Sequence, residues 1–142
     1  MIYLTPSDSR NILSWSKDFF SESPFLGVLN YEMIGPDDTF GQKMLENLKD
    51  RGCELKGIEG CPDTAAQIKR MEECLSQEGH TVQAQSYPMD KLYSERLDTA
   101  ERLKIEKIEI FDEFEEWVLL QSHYCLTLGK RFNCDGAEIV SI

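Results

Sequence analysis

Long hydrophobic runs are absent from this sequence, and their absence excludes membrane-spanning helices. The longest unbroken apolar stretches, such as Trp117-Val118-Leu119-Leu120, have four residues, whereas a membrane helix needs about twenty. No positively charged segment followed by an apolar one opens the chain, so we expect no secretory signal. These absences predict a protein of the cytoplasm with no membrane partner.

Basic residues are scarce relative to acidic ones. The 142 residues include 15 Lys and Arg against 26 Asp and Glu, which gives a formal net charge of −11. Non-specific binding to nucleic acid depends on Lys and Arg side chains that neutralise phosphates, so the composition disfavours a nucleic-acid partner. Hydrophobic residues make up 41% of the chain, which is enough for the core of one compact domain.

The sequence also lacks the cysteine spacings of a metal site or a disulfide framework. The number of cysteines is odd, no two of them form a C-x-x-C pair, and the two histidines are far apart. This pattern predicts reduced thiols and no bound metal ion. The cysteines are Cys53, Cys61, Cys74, Cys125 and Cys134.

Motifs for phosphate binding and for nucleophilic catalysis are missing as well. The glycines between positions 52 and 60 form neither a G-x-G-x-x-G nor a Walker pattern, and no G-x-S-x-G elbow occurs. The acidic residues from Glu109 to Glu116 lack the alternating ligands of an EF-hand and are typical of a solvated helix face. We expect His123 to be a hydrogen-bonded histidine of the core or its boundary rather than a catalytic one.

What is present is an alternation of helical and strand patterns at the short spacings of an α/β domain. The predicted elements of the first part are the end of a strand at 2–4, a helix at 6–20, a strand at 25–33, a helix from Thr39 to about Arg51 and a helix that starts at Pro62 and stops at Gly79. Those of the second part are a strand at 81–87, a short helix at 88–97, a largely helical segment at 98–128 with a break near Ile108, and a final strand at 137–142.

Three predicted helical segments have further features of note, a cap in one case and apolar faces in the other two. Thr39 and Gln42 form a T-x-x-Q capping box, and Asp38 is the alternative cap of the same helix. Apolar side chains recur on one face of the first helix, which is predicted to be amphipathic, and on a wide face of the segment 98–128, which is predicted to contain a buried helix. These side chains are Ile12, Trp15, Phe19 and Phe20 in the first helix, and Phe111, Phe114, Val118 and Cys125 in the second.

Several sequence blocks, in a fixed order across the whole chain, resemble the leucine carboxyl methyltransferase family. Each block is short and weak by itself, whereas their order and spacing are specific. The blocks are residues 2–6 (IYLTP), 30–33 (NYEM), 38–48 (DTFGQ running on to Leu48), 51–55 (RGCEL), 57–59 (GIE), 111–117 (FDEFEEW) and 123–125 (HYC).

The resemblance covers only the C-terminal half of that family and implies a fold. Residues 1–142 would form the C-terminal half of a leucine carboxyl methyltransferase-like domain, which is the last part of a Rossmann-like class I methyltransferase fold. The sheet would be mixed, with flanking helices and with its last strand inserted antiparallel between the two strands before it. Because the strands that precede these are missing from the sequence, we expect an unpaired strand edge and bare apolar helix faces.

The resemblance also implies an activity. Family members use S-adenosylmethionine to methylate the C-terminal leucine carboxylate of the catalytic subunit of type-2A protein phosphatase, so the tail of that subunit is the expected partner. The cofactor is held mainly by the first half of the family's domain, and no cofactor-binding residue can be assigned in this chain. We therefore expect this chain alone to bind S-adenosylmethionine poorly.

Three residues are candidates for binding the substrate. By the family motif, Tyr3 matches the tyrosine that hydrogen-bonds the substrate carboxylate. Tyr31 ends a predicted strand and faces the substrate cleft in this interpretation, as Glu32 could. Gln42 opens a capped helix, and helix initiation already accounts for it; the signal for Tyr31 and Glu32 is weaker still. No catalytic acid or base is expected, because a leucine carboxylate is already ionised at pH 7.

Two other functions remain open. The related branch of tRNA wybutosine-synthesising methyltransferases shares the acidic aromatic block, although that branch carries a propeller domain for which this chain has no room. The third possibility is a non-catalytic module that binds the phosphatase without a cofactor site.

Overall fold

The computed structural model describes residues 1–133 and contains three strands and six helices within that part of the chain. A π-helical turn over residues 92–96 follows the very short fourth helix. None of the helices in residues 1–133 has the length and apolar character needed to cross a lipid bilayer. The elements in chain order are α1 (Pro6–Phe19), β1 (Phe25–Met33), α2 (Thr39–Asp50), α3 (Thr64–Leu75), β2 (His80–Pro88), α4 (Met89–Lys91), α5 (Thr99–Glu106), α6 (Phe114–Gln121) and β3 (Tyr124–Asn133).

The sheet has the order β1-β3-β2, and β3 is antiparallel to both neighbours. In its register Leu128 lies opposite Leu29 of β1 and Gln85 of β2. The protein is therefore α/β, and the expected antiparallel strand between the two earlier strands is confirmed for residues 1–133. The sheet within this part is wholly antiparallel between neighbours, not mixed.

The position of that central strand was predicted wrongly. Residues 124–128 were expected to continue a helix, but they begin β3, and the predicted strand at 137–142 lies outside the described residues. Gly129, expected to end the helix, lies in the middle of β3, where a Cβ atom would come within 2.9 Å of the Leu75 side chain. The absence of a side chain at Gly129 lets α3 pack directly on the strand.

The core lies mainly on the face of the sheet that α1 and α3 cover. Its buried cluster consists of Leu13, Leu26, Met71, Cys74 and Leu75. A second cluster at the carboxyl end of β1 consists of Ile2, Met33, Leu55 and Ile58. Residues 2–4 form a turn rather than the predicted strand end, since no neighbouring strand pairs with them in the described part of the chain.

The apolar face predicted for the first helix is largely exposed. Trp15 and Phe19 are 62% and 66% accessible, while the buried side of α1 is formed by Ser9 and Leu13. The strand β1 pairs only with β3 among the described strands, so its other edge is open. The expectation of an unpaired edge and bare apolar faces is thus confirmed for this part of the chain.

Candidate functional site

The carboxyl ends of β1 and β2 lie at the same end of the sheet. We call this end the carboxyl edge, to distinguish it from the lateral edge of β1 that pairs with none of the described strands. Both strands run antiparallel to β3, so they are parallel to each other, and the start of β3 meets their ends. Met33 pairs with Tyr124 there, and Pro88 pairs with Cys125. Ligands of open α/β sheets bind outside the carboxyl ends of the parallel strands, so this edge is the place to look for a site.

Three tyrosines gather at this edge. The rings of Tyr31 and Tyr124 stack, with centroids 5.2 Å apart and planes 9° apart. Burial raises the pKa of Tyr124, and the neighbouring phenols of Tyr31 and Tyr3 raise this pKa further. Burial also raises the pKa of Tyr31. Tyr31 is therefore in ring contact with Tyr124, whereas Tyr3 is linked to that ring only through the charge effect of its phenol. Tyr3 and Tyr31 are each about half exposed.

Phenol groups of this kind suit the binding of an anion. A tyrosine phenol is protonated at neutral pH, because the ordinary pKa of this group is about 10, and its O–H can donate a hydrogen bond to a carboxylate. The exposure of Tyr3 and Tyr31 leaves these donors accessible from solvent. The arrangement can therefore orient a carboxylate without any transfer of a proton.

Glu32 follows Tyr31 directly and points to the other face of the sheet, as alternation along a strand requires. Its side chain is buried and accepts hydrogen bonds from Arg70 at 3.2 Å and from the Ile2 backbone N–H at 3.1 Å. The Met1 amino group forms a further ion pair with it. Burial by itself would raise the pKa of Glu32, but the bonds and charges of the Met1 amine and Arg70 outweigh burial and hold this pKa below its usual value. Glu32 is thus a structural ion-pair residue and does not face the open side of the edge.

The N-terminus of α2 lies beside the carboxyl end of β1, where Asp38 contacts His123. Asp38 is the cap of this helix and accepts a hydrogen bond from the Gly41 N–H at 2.7 Å, so the alternative cap is correct and the Thr39 box does not form. Both carboxylate oxygens of Asp38 lie 3.0 Å from Nε2 of buried His123. The Gly41 bond, followed by the His123 bond, lowers the pKa of Asp38.

His123 connects three elements. Its Nδ1 lies 2.8 Å from the Leu119 carbonyl of α6, and its backbone carbonyl accepts a bond from the Ile34 N–H just after β1. Its ring lies against Phe40, with centroids 4.5 Å apart. This confirms the expectation of a hydrogen-bonded histidine, and the contacts give it the role of fixing the α2 N-terminus against the end of the sheet.

Gln42 is the candidate that the structure does not bring to the tyrosines. Its side chain is exposed, and its Nε2 donates to the Asp37 carbonyl at 3.1 Å. Among residues 1–133 no hydrogen bond or ring contact joins Gln42 to Tyr3 or Tyr31. Its role in substrate binding stays a prediction, as do those of the two tyrosines.

Two important residues were missed by sequence reasoning. Arg70 was not noticed as the partner of Glu32, although Gln67, Arg70 and Cys74 recur at helical spacing and are all buried on the inner side of α3. Arg131 is fully buried and donates hydrogen bonds to the carbonyls of Lys17 and Phe20 at the end of α1. It was overlooked because the strand that carries it was not recognised.

Metal binding has no support in the described residues. No group of three His, Cys, Asp or Glu side chains among residues 1–133 could hold an ion. Burial raises the pKa values of Cys61, Cys74 and Cys125, which makes these thiols poor nucleophiles and poor ligands.

Comparison with known proteins shows which proteins this chain is similar to. The leucine carboxyl methyltransferase 1 homolog of Arabidopsis thaliana is 42% identical over 127 residues, which are 89% of this chain and 36% of that protein. The leucine carboxyl methyltransferase 1 of Bos taurus is 39% identical over 139 residues, which are 98% of this chain and 38% of that protein. The chain is a homologue of the leucine carboxyl methyltransferases.

The similarity covers only part of these proteins and extends to a second group of proteins. The chain spans little more than a third of the length of the leucine carboxyl methyltransferases named above, as expected for a C-terminal fragment of that family. The tRNA wybutosine-synthesizing protein 4 of Homo sapiens is also similar, with 34% identity over 131 residues, 92% of this chain and 18% of that protein. No family model matches the chain. The family resemblance therefore supports a methyltransferase, with two named branches among the relatives.

Proposed function

We propose that this chain is the substrate-binding part of an enzyme that uses S-adenosylmethionine to methylate the C-terminal leucine carboxylate of the type-2A protein phosphatase catalytic subunit. The observation that carries the proposal is the pair of exposed tyrosines, Tyr3 and Tyr31, at the carboxyl edge of a sheet whose sequence is 39% identical to a leucine carboxyl methyltransferase over 98% of the chain. The protein would act in the cytoplasm.

In this proposal the described sheet is the end of a larger, Rossmann-like sheet. The open edge of β1 and the exposed apolar side of α1 support this, because both are surfaces that a further strand and helix would cover. The covering elements would lie in the part of the relatives' length that has no counterpart here.

The described residues do not by themselves fit the cofactor. A nucleoside cofactor needs a glycine-containing turn for close approach and a carboxylate for its ribose, whereas the one buried carboxylate at this edge, Glu32, already binds Arg70 and Met1. S-adenosylmethionine would be held by the remainder of a full-length enzyme, and this chain would contribute the carboxylate side of the reaction.

The chemistry required of these residues is positioning. The leucine carboxylate is ionised at neutral pH, and the methyl transfer needs its oxygen in line with the methyl group that it attacks. Holding two reactants in such a geometry is worth up to about 7–11 kcal/mol. Tyr3 and Tyr31 would each donate a hydrogen bond to the carboxylate and so fix its direction.

The test is the binding of a peptide that ends in a free leucine carboxylate, compared with the same peptide ending in a leucine amide. We expect this chain to prefer the acid, and we expect Tyr3→Phe to remove most of that preference, because a hydrogen bond to a charged group is worth about 1.5–3 kcal/mol. Tyr93→Phe is the matched control, because the Tyr93 hydroxyl binds Glu106 and no hydrogen bond or ring contact among the described residues joins Tyr93 to Tyr3, Tyr31 or Tyr124. Equal affinity for the two peptides would refute the proposal.

A second measurement concerns the enzyme as a whole. In a longer protein that contains these residues, Tyr3→Phe should lower carboxyl methylation while cofactor affinity stays nearly constant, and unchanged turnover would remove Tyr3 from the site. Peptide binding without any methylation in the longer protein would favour a non-catalytic module instead.

The second candidate is the tRNA wybutosine-synthesising branch, which the 34% identity to the human protein supports. The formal net charge of −11 disfavours an RNA substrate. Methylation of a tRNA substrate in place of the leucine peptide by a longer protein with these residues would decide for this branch.

A further inference from the structure

The segment between β2 and β3 forms a groove that the proposed methylation site does not use. It contains α4, α5 and α6, and its groove has a volume of about 700 Å³. We call it the insertion groove and define it by its lining residues. These include Tyr93, Ile108, Ile110, Phe111, Phe114 and Trp117.

The floor of the insertion groove is an aromatic cluster. Phe114 and Trp117 stack with ring centroids 5.7 Å apart, and Tyr93 packs edge-on against Trp117 at 5.0 Å. Phe111 contacts both Phe114 and Trp117. Four rings that hold one another in place form a preorganised apolar surface, which loses little conformational freedom when a ligand binds.

The rim of the groove exposes large aliphatic side chains. Ile108 and Ile110 are 80% and 85% accessible, and Phe111 is half exposed. The segment 98–128 was expected to contain a buried helix, so this exposure is a departure from the sequence-based prediction. Contiguous apolar surface of this kind marks a binding site more often than it occurs on an inert surface.

Hydrogen bonds and ion pairs connect the helices between β2 and β3 to one another and leave the groove open. The Tyr93 hydroxyl donates to Glu106 at 3.1 Å, and Arg102 forms an ion pair with the same carboxylate. Arg96 lies over the ring of Tyr87 at the end of β2 and donates to its hydroxyl at 2.8 Å. The groove is therefore anchored to the carboxyl edge of the sheet, where the three tyrosines lie.

The charge around the groove is strongly negative. Residues 105–117 contain six acidic side chains and one basic side chain. Two neighbouring lysines pair with other carboxylates, Lys91 with Glu95 and Lys104 with Glu101. Among the described residues no ion pair involves the carboxylates of Glu109, Asp112, Glu113, Glu115 and Glu116. A partner that covers the groove must bring positive charge with it.

We propose that the insertion groove binds a basic amphipathic segment of a protein partner. One or two large apolar side chains of that segment would lie on the aromatic floor, and Lys or Arg residues beside them would face Glu109 and the acidic residues of α6. If the proposed function is correct, the groove gives the substrate protein a second contact at the same sheet edge, distinct from the carboxylate that is methylated.

The probe is a short helical peptide with leucines at helical spacing and lysines elsewhere. Two matched peptides replace all lysines by glutamate or all leucines by serine. We expect the first peptide to bind, its affinity to fall with rising salt, and both matched peptides to bind at least about tenfold more weakly. Equal binding of the leucine-to-serine peptide would overturn the proposal, because it would reduce the effect to general attraction between opposite charges.

Variants of the chain locate the binding. Ile110→Ser and Glu109→Lys should each weaken binding of the basic peptide by about tenfold or more. The controls are Trp15→Ser, another exposed apolar residue, and Glu72→Lys on α3, which is exposed and outside the groove. Equal losses in the controls would contradict the proposal, and so would a groove occupied by a second copy, detected as self-association that Ile110→Ser abolishes.

This test does not depend on methylation, since it measures only peptide affinity. Failure of the leucine-carboxylate experiment with Tyr3→Phe would leave the groove binding intact. Loss of groove binding would leave the preference for the leucine carboxylate intact.

Discussion

Tyr31 and Glu32 are adjacent in sequence but have opposite roles. Tyr31 stacks on Tyr124 at the open side of the sheet edge, whereas Glu32 is buried against Arg70 with 1% of its side chain exposed. The alternation of side chains along a strand produces this separation. A buried ion pair of this kind contributes to stability only as long as both partners are present, because either charge alone would be buried without compensation.

Arg70→Met tests this dependence. We expect a loss of about 3–5 kcal/mol in the free energy of unfolding, because Glu32 loses its main side-chain partner in a buried site. Urea unfolding followed by circular dichroism would measure it. Arg10→Met is the control, since Arg10 and Glu73 form a solvent-exposed pair at 2.7 Å and should contribute much less. Equal losses in the two variants would mean that burial does not govern the strength of these pairs.

The same carboxylate predicts how stability depends on pH. The pKa of Glu32 is lower in the folded protein than its usual value, so its stabilisation is fully present above the usual glutamate pKa and is lost as the pH falls through the folded value. Unfolding at a series of acidic pH values should show a smaller loss of stability for Glu32→Gln than for the unaltered chain. An identical pH dependence in both would show that Glu32 has the same pKa folded and unfolded.

At the scale of elements, β3 organises the fold. It pairs with both other strands, and its buried Thr127 and Arg131 are in contact with β2 and with the end of α1. The sequence around it also fits a helix, because the apolar residues at positions 124 and 128 share one face at helical spacing as well as at strand alternation. Pairing with two neighbouring strands selects the strand.

Gly129→Ala tests the close packing of α3 on β3. The added Cβ would lie 2.9 Å from the Leu75 side chain and 3.1 Å from Met71 Cβ, so we expect a loss of about 1–3 kcal/mol in the free energy of unfolding. Gly27→Ala is the control in β1, where the added atom meets only the exposed ring of Phe25. A Gly129→Ala protein as stable as the Gly27→Ala protein would contradict the close approach.

At the scale of the molecule, the described chain exposes an unpaired strand edge and several large apolar side chains to solvent. The open edge of β1, the exposed Leu29 and the aromatic side chains of α1 are each features that a longer relative could bury. An open, hydrophobic strand edge promotes association with other chains.

Leu29→Lys tests the consequence of this surface. We expect it to reduce concentration-dependent self-association of the 142-residue chain, because a charged side chain on an edge strand opposes pairing with another chain. Sedimentation velocity at several protein concentrations would measure the change. Leu103→Lys places the same charge on exposed α5 and should have a smaller effect. Equal effects would point to net charge instead of the β1 edge.

Local chemistry made several features predictable. Thr5 with Pro6 begins α1, β1 has its predicted bounds, and the break near Ile108 lies between α5 and α6. Each depends on residues close together in the chain, such as a capping hydroxyl, a run of apolar and aromatic side chains or a loss of periodicity. For the candidate site, the sequence singled out Tyr3 and Tyr31 but not Tyr124, on which Tyr31 stacks.

By itself the sequence determined the family resemblance, the acidic charge and the positions of most helices and strands, because these follow from composition, local spacing and the order of short motifs. Only the tertiary structure decided which segment became the central strand, that Glu32 pairs with Arg70, that Tyr31 stacks on Tyr124, and that the aromatic residues between β2 and β3 line an open groove. These features depend on contacts between residues far apart in the chain, and such contacts are set by packing and pairing that no local pattern encodes.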